Sequence, residues 1–238
     1  MRVRALVVPL VLVVVMVAGC STPTSTPEST AAPSLTPTPT VNANELLTAE
    51  ELLAKSRDTL QEASSFRVKI SASMGIITAI TDVVYVGDDA KGTQSALGQV
   101  TEFVRIGKYI YVKGGESYWS LIVRLEQLQL VTGKWVKVDA TNPNHAGVVP
   151  SFDASLGDVG EVTRVGPTTI DGKPAITLKS RDGTIHISTD GEPYPLRIEA
   201  VQSTPNGNVT VVIDFSEFGT VVATIEVPPG EILDLSTG

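Results

Sequence analysis

Phe66-Arg67-Val68-Lys69-Ile70-Ser71-Ala72-Ser73-Met74 is the stretch that decides the fold. Apolar side chains at every second position alternate with charged or hydroxyl ones. That is the period of a strand with one dry face and one wet face. Such a strand needs neighbours along its edges and a cover over its dry side, and the flanking sequence has to supply both.

The cover comes first. Thr48-Ala49-Glu50-Glu51 fits a capping box, with Thr48 at the N-cap, Glu51 three residues on, and Leu47 and Leu52 at the hydrophobic-staple positions. Leu52, Leu53, Ser56, Leu60 and Ala63 then recur at helical spacing, which predicts a helix from about Ala49 to Ser64.

The neighbours follow. Ile76 to Val86 reads as a second strand, and Gly87-Asp88-Asp89 with Lys91-Gly92 as turn material. Val100, Val104 and Ile106 belong to a third, and Gly107-Lys108 turns the chain into Tyr109-Ile110-Tyr111-Val112. Trp119, Ile122, Leu125 and Leu128 then recur every three residues, with Leu121 adding to the same side. They predict a short second helix between Tyr118 and Val131, with Gly133 at C′. Trp135 to Val138 returns to strand character, and Thr141 to Asp158, broken by Pro143 and Pro150, reads as loop.

The C-terminal third reads as hairpins. Candidate strands are Val162 to Val165, Thr168 to Ile170, Ala175 to Lys179, Thr184 to Ser188, Leu196 to Ser203 and Asn208 to Phe215. Asp171-Gly172, Asp182-Gly183, Asp190-Gly191 and Asn206-Gly207 punctuate them, pairs that favour tight β-turns. Val221 to Val227 is expected to close the sheet before Pro228-Pro229. The fold class is α+β: one large antiparallel meander with helices on one face.

The start of the chain is of another kind. Arg2 and Arg4 precede an apolar run of 14 residues, Ala5 to Ala18, and Gly19 and the lone Cys20 follow. This is the layout of a secretory signal, too short to span a bilayer core of about 30 Å. Val17-Ala18-Gly19-Cys20 resembles a bacterial lipobox, in which the chain is cut before the cysteine and the thiol carries a diacylglycerol. Residues 1–19 are accordingly expected to be removed, with Cys20 as the lipid-attachment residue. Residues 20–44, rich in Ser, Thr and Pro, read as a disordered tether, and residues 45–238 as one folded domain. The expected location is the outer face of the bacterial cytoplasmic membrane, held through the N-terminal lipid.

The formal charge is −8, and losing Arg2 and Arg4 leaves 16 basic against 26 acidic residues, or −10. That balance argues against a nucleic-acid partner, whose phosphates require clustered cations. One cysteine excludes an intrachain disulfide, so packing alone must hold the core.

Signs of catalysis are missing. There is no Gly-x-Ser-x-Gly, Ser-x-x-Lys, His-Glu-x-x-His or phosphate-cradling glycine loop. His186 lies between Ile185 and Ile187, so alternation sends it to the wetter face as a solvent-facing strand residue. His145 sits in a loop with no nucleophile motif, and Asp88-Asp89 lacks the spaced oxygen ligands of a calcium loop. No enzyme activity, cofactor or metal is expected.

Tyr111-Val112-Lys113-Gly114, Tyr118-Trp119 and Gly133-Lys134-Trp135-Val136-Lys137-Val138 resemble the middle of the actinobacterial LppX/LprA/LprF/LprG type of envelope lipoprotein. Thr169-Ile170-Asp171-Gly172, Pro195-Leu196-Arg197-Ile198 and Asp214-Phe215-Ser216-Glu217-Phe218-Gly219 are similar to its later hairpins. The resemblance runs loosely from Leu46 to Pro229. It implies a curved antiparallel half-barrel like those of LolA and LolB, with helices over its concave face and acylated lipids or glycolipids as ligands.

On that expectation the inner face comprises Phe66, Val68, Ile70, Val104, Ile106, Ile176, Leu178, Ile185, Ile187, Val209, Val211 and Ile213. The helical covers present Leu53 and Leu60, and Ile122 and Leu125. Close packing would make these residues a solid core. A helix standing off would turn them into the lining of an apolar lipid cavity. The function expected is a monomeric lipid carrier or presenter, with an envelope transporter as a further partner. The alternative is a tethered interaction or signalling module with no lipid cavity.

Overall fold

Backbone pairing runs from one end of the folded chain to the other, as the alternation around Phe66 requires. The structure is a computed structural model that describes residues 42–141, 149, 159–205, 207–221 and 223–236. Expectations for residues 1–41, Cys20 included, and for most of the loop around His145 lie outside the described residues.

The described residues open with a single 3₁₀ turn, Ala43–Leu46, and then the helix α1, Ala49–Glu62. Both halves of the capping box form: Thr48 Oγ1 accepts from the Glu51 amide at 3.2 Å, and Glu51 Oε2 accepts from the Thr48 amide at 2.9 Å. The strands are β1 Ser65–Met74, β2 Ile77–Val86, β3 Asp89–Ala96, β4 Gln99–Ile106 and β5 Tyr109–Lys113. Two one-turn helices follow, α2 Glu116–Trp119 and α3 Leu128–Val131, and then β6 Trp135–Asp139. The second half supplies β7 Thr163–Ile170, β8 Lys173–Lys179, β9 Gly183–Ser188, β10 Pro195–Thr204, β11 Gly207–Ser216 and β12 Ile232–Asp234.

The twelve strands of the described residues form one curved open sheet in the order β12-β6-β5-β4-β3-β2-β1-β11-β10-β9-β8-β7. The expected single meander is two meanders, β1–β6 and β7–β11, joined where β1 pairs with β11. The described residues between 221 and 227 form no strand; the closing strand is β12, which runs parallel to β6. Pro228-Pro229 keeps the chain out of a ladder just ahead of β12, since proline has no amide to give one. The two short strands expected around Val162 and Thr168 are one strand, bulged between Arg164 and Gly166.

Two further corrections concern β3 and the second helix. Lys91-Gly92 is not a turn but the middle of β3, where Gly92 lies opposite Val83 and Phe103. The run from Tyr118 to Val131 is not one helix but α2, a 3₁₀ turn at Leu125–Gln127, and α3. Residues every three positions rotate by about −60° per step on an α-helix, so four of them spread over half its circumference. They make no single face. Trp119, Leu128 and Val131 are buried, whereas Leu125 is 81% exposed and Ile122 37%.

One continuous core lies between the sheet and its helical cover. Leu52, Leu53 and Leu60 of α1 meet Phe66, Val68, Val83, Tyr85, Ile176, Leu178, Ile185, Ile187, Ile198 and Phe215, each at most 9% exposed. Helix α1 packs over β7, β9 and β10, and Trp119, Leu128 and Val131 join the core from the other half. Every residue of this core lies in the compact unit that begins at Thr40.

Candidate functional site

Register sorts the inner face from the outer. Phe66, Val68, Ile70, Ala72 and Met74 of β1 stand opposite Tyr85, Val83, Thr81, Ala79 and Ile77 of β2, and opposite Phe215, Ile213 and Val211 of β11. Ile213 and Val211 in turn face Ile198 and Ala200 of β10.

This inner face has two zones. Near the β1 N-terminus it is filled by α1, and the residues there are the core already described. Toward the other end of the same strands, Ile70, Ala72, Met74, Ala79, Ala200, Val209, Val211 and Ile213 retain partial exposure. They form an apolar trough on β2, β1, β11 and β10, with Ile70 and Ile213 at its border packed against the core. None is charged.

The expected lining residues divide accordingly. Leu53, Leu60, Phe66, Val68, Ile176, Leu178, Ile185 and Ile187 are in the solid zone, and Ile70, Val209, Val211 and Ile213 in the trough. Leu125 stands out toward solvent, and Ile122, 37% exposed, lies in the connection between α2 and α3 rather than on a helix face. Val104 and Ile106 are on the wrong face.

The last correction follows from β4. Phe103, not Val104, stands opposite Gly92 and Val112 on the inner side. Val104 and Tyr111 form a separate outer cluster with Ile225, against which Val86, Ile106, Tyr109, Trp135 and Ile232 pack. The C-terminal segment thus gives β4–β6 a dry outer face too, and alternation alone does not tell two dry faces apart.

Elsewhere the outer face carries a ladder of charge. Arg67 makes a two-pronged pair with Asp82, both bonds 2.7 Å, and reaches Glu217 at 3.0 Å. Asp82 is held below its ordinary carboxylate range, chiefly by the hydrogen bonds from Arg67. Two strands on, Arg197 Nε donates to Asp214 at 2.5 Å and Nη2 to Asp171 at 3.4 Å. His186 is on this face, as alternation requires, yet it is 8% exposed rather than solvent-facing. Its Nδ1 lies 3.0 Å from Thr177 Oγ1 and its Nε2 3.9 Å from Glu199. Burial lowers its pKa, against the opposing pull of Glu199. The flanking strands β8 and β10 close around it with Thr177, Arg197 and Glu199.

Clefts among the described residues lie elsewhere. One of about 390 Å³ includes Arg67, Asp82 and Asp214, and one of about 570 Å³ runs under the 224–229 segment beside Val104 and Trp135. A third, of about 630 Å³, sits at the β7–β8 edge and is lined largely by Glu161, Lys179, Arg181 and Asp182. In the third the hydroxyls of Thr163 and Ser180 donate to the carbonyls of Lys179 and Gly183. Among the described residues no group of three His, Cys, Asp or Glu is placed to hold a metal ion. No described helix is long and apolar enough to cross a membrane.

An open half-barrel with a helix over part of its apolar concave face is the class that this geometry defines. LprF from Mycobacterium bovis has that fold: the two structures align with a TM-score of 0.50 at 17% identity, over 76% of this chain and 97% of that one. An uncharacterized conserved protein from Thermus thermophilus aligns more loosely, with a TM-score of 0.42 at 13% identity, over 79% and 98%. No family model and no curated protein sequence matches the chain. The likeness is therefore one of fold, and it agrees with the resemblance carried by the Tyr111 and Trp135 segments.

Proposed function

We propose that this chain is an exported lipoprotein, anchored through Cys20, that holds acylated lipid or glycolipid against the inner face of its half-barrel. It carries or presents that lipid in the cell envelope without chemical change. The observation that supports this reading is the split inner face: α1 seals one zone, and the strands continue past it as uncharged apolar surface. A strand pair that served only to close a core has no need of this extension. Each methylene of an acyl chain placed there gains about 0.8 kcal/mol, so one chain suffices for useful affinity without a polar anchor point. The protein acts as a monomer and receives or delivers lipid through an envelope partner.

The experiment is native mass spectrometry of the polypeptide from Ser21 onward, produced in a bacterial envelope. Co-purifying mass that dissociates as acylated lipid is expected. A clean apo mass, together with no uptake of a fluorescent fatty acid or glycolipid, would sink the reading.

A further inference from the structure

The two ends of the sheet are built from opposite kinds of turn. Those at the α1-sealed end carry charge: Asp88, Lys108, Asp171 and Asp190 stand in or beside them. At the other end, where the trough opens, the β1–β2 turn presents Ile76 and the β3–β4 turn presents Leu97. Ile76 is fully exposed, and Leu97 77% exposed.

Leu97 adopts φ +50° and is followed by Gly98 at +76°. This is the left-handed geometry of a tight hairpin turn, for which Asn, Asp or Gly is the low-energy choice. An aliphatic side chain there is strained and buries nothing within the molecule.

Charge is absent around these tips on both faces. Residues 70–81, 92–101 and 200–213, in stretches of 12, 10 and 14, contain no Asp, Glu, Lys or Arg, in a chain that is 18% charged. The three stretches are the outer parts of three adjacent hairpins, six contiguous strands from β4 to β10. Charge resumes at their lower borders with Lys69, Asp82, Lys91, Glu102, Glu199 and Asp214. The connection between α2 and α3 stands at the same end, with Gly115 beside Gln99, and adds exposed Leu121 and Leu125. Charge at this end stands on its flanks: Arg124 and Glu126, both exposed, in that connection, and Arg181 and Asp182 in the turn near the far edge.

We infer that this charge-free rim is a membrane-docking surface that dips into the headgroup layer of a lipid bilayer. A surface kept free of charge over six strands is one adapted to lose its water, because burying an unpaired ion is prohibitive and burying a hydroxyl or amide is not. The apolar side chains stand on separate tips rather than lining one groove, so they suit a fluid layer that closes around each tip. The six-strand rim itself carries no basic residue, and Arg124 and Arg181 on its flanks stand beside Glu126 and Asp182, so docking is driven by apolar insertion into zwitterionic lipid and not by attraction to anionic headgroups. It places the mouth of the trough against the bilayer, though docking itself does not rest on a ligand in the trough.

The test uses the polypeptide from Ser21 onward, which lacks the leader and the anchor cysteine but keeps the whole core. Sedimentation with phosphatidylcholine vesicles should show partition that changes little between low and high salt. Ile76→Asp with Leu97→Asp should lower it by roughly a hundredfold, leaving far-UV circular dichroism and the lipid load in native mass spectrometry unchanged. An environment-sensitive dye on Ile76→Cys, then the only cysteine, should shift to the blue on vesicles. Three outcomes overturn the inference: no partition, equal partition of the double variant, or binding confined to anionic vesicles and abolished by salt. Concentration-dependent self-association that the double variant removes would also overturn it, assigning the rim to protein contact instead.

Discussion

The ring of Phe103 lies over Gly92, directly across the β3–β4 ladder. A Cβ on Gly92 would stand 3.0 Å from Phe103 Cζ and only 2.2 Å from the carbonyl oxygen of Asp82. The glycine therefore lets the aromatic ring lie flat in the core and lets β2 approach closely. Gly92→Ala forces backbone to move, and is expected to cost about 2–3 kcal/mol. In a domain of this size that is a fall in melting temperature of roughly 5–10 °C, readable by calorimetry.

Asp82 and Arg67 make the acid limb of stability predictable. The folded carboxyl titrates below its ordinary value because Arg67 donates two hydrogen bonds to it. Its contribution is thus present above the unfolded pKa near 4 and disappears as pH falls through the lower folded pKa. Both side chains are partly solvated, so Asp82→Asn is expected to cost only about 1 kcal/mol at pH 7. The difference between variant and parent should narrow as pH falls below the ordinary carboxylate pKa in urea titrations. A difference that is the same at every acid pH where the domain still folds would contradict the pairing.

Much of this architecture is legible from residue order. The Thr48/Glu51 box, the alternation from Phe66 to Met74 and the Asp171-Gly172 turn each state a local rule, and tertiary structure obeys it, whereas Gly183 of Asp182-Gly183 is already the first residue of β9. Two of the misreadings share one cause: a face whose dryness is set by a distant segment. Val104 and Ile106 look inward by hydrophobicity alone, but residues 225 and 232, more than a hundred positions later, make the outside equally dry. His186 looks wet by alternation, and Thr177, Arg197 and Glu199 around it make it dry. Ile122 and Leu125 look like a helix face because a spacing of three imitates one. The exposed tips at Ile76 and Leu97 carry a sequence signal, the missing charge, that only strand order turns into a shared surface.

Anchorage separates from folding. Cys20→Ala removes the only thiol able to carry a lipid, and the folded unit lies wholly beyond it. The variant is expected to leave the membrane fraction for the soluble one in quantitative fractionation, with unchanged thermal stability. Docking through the rim is reversible and weaker than acylation, so residual binding should dilute away. Membrane association that survives washing would contradict the anchor.

The two faces of the sheet give the sharpest test of where lipid sits. Val104 is buried under the C-terminal segment on the outer face, whereas Ile213 lines the trough on the inner one. Val104→Ala should lower stability by about 2 kcal/mol and leave lipid load untouched. Ile213→Gln, at a partly open position, should cost about 1 kcal/mol, since the amide keeps contact with water, yet reduce lipid load severalfold. Leu60→Ala, fully buried beneath α1, calibrates the core at roughly 2–5 kcal/mol. Stability by chemical denaturation and load by native mass spectrometry should therefore dissociate, each following one face. If Ile213→Gln unfolds the domain as Leu60→Ala does, the trough is core and the lipid reading fails with it.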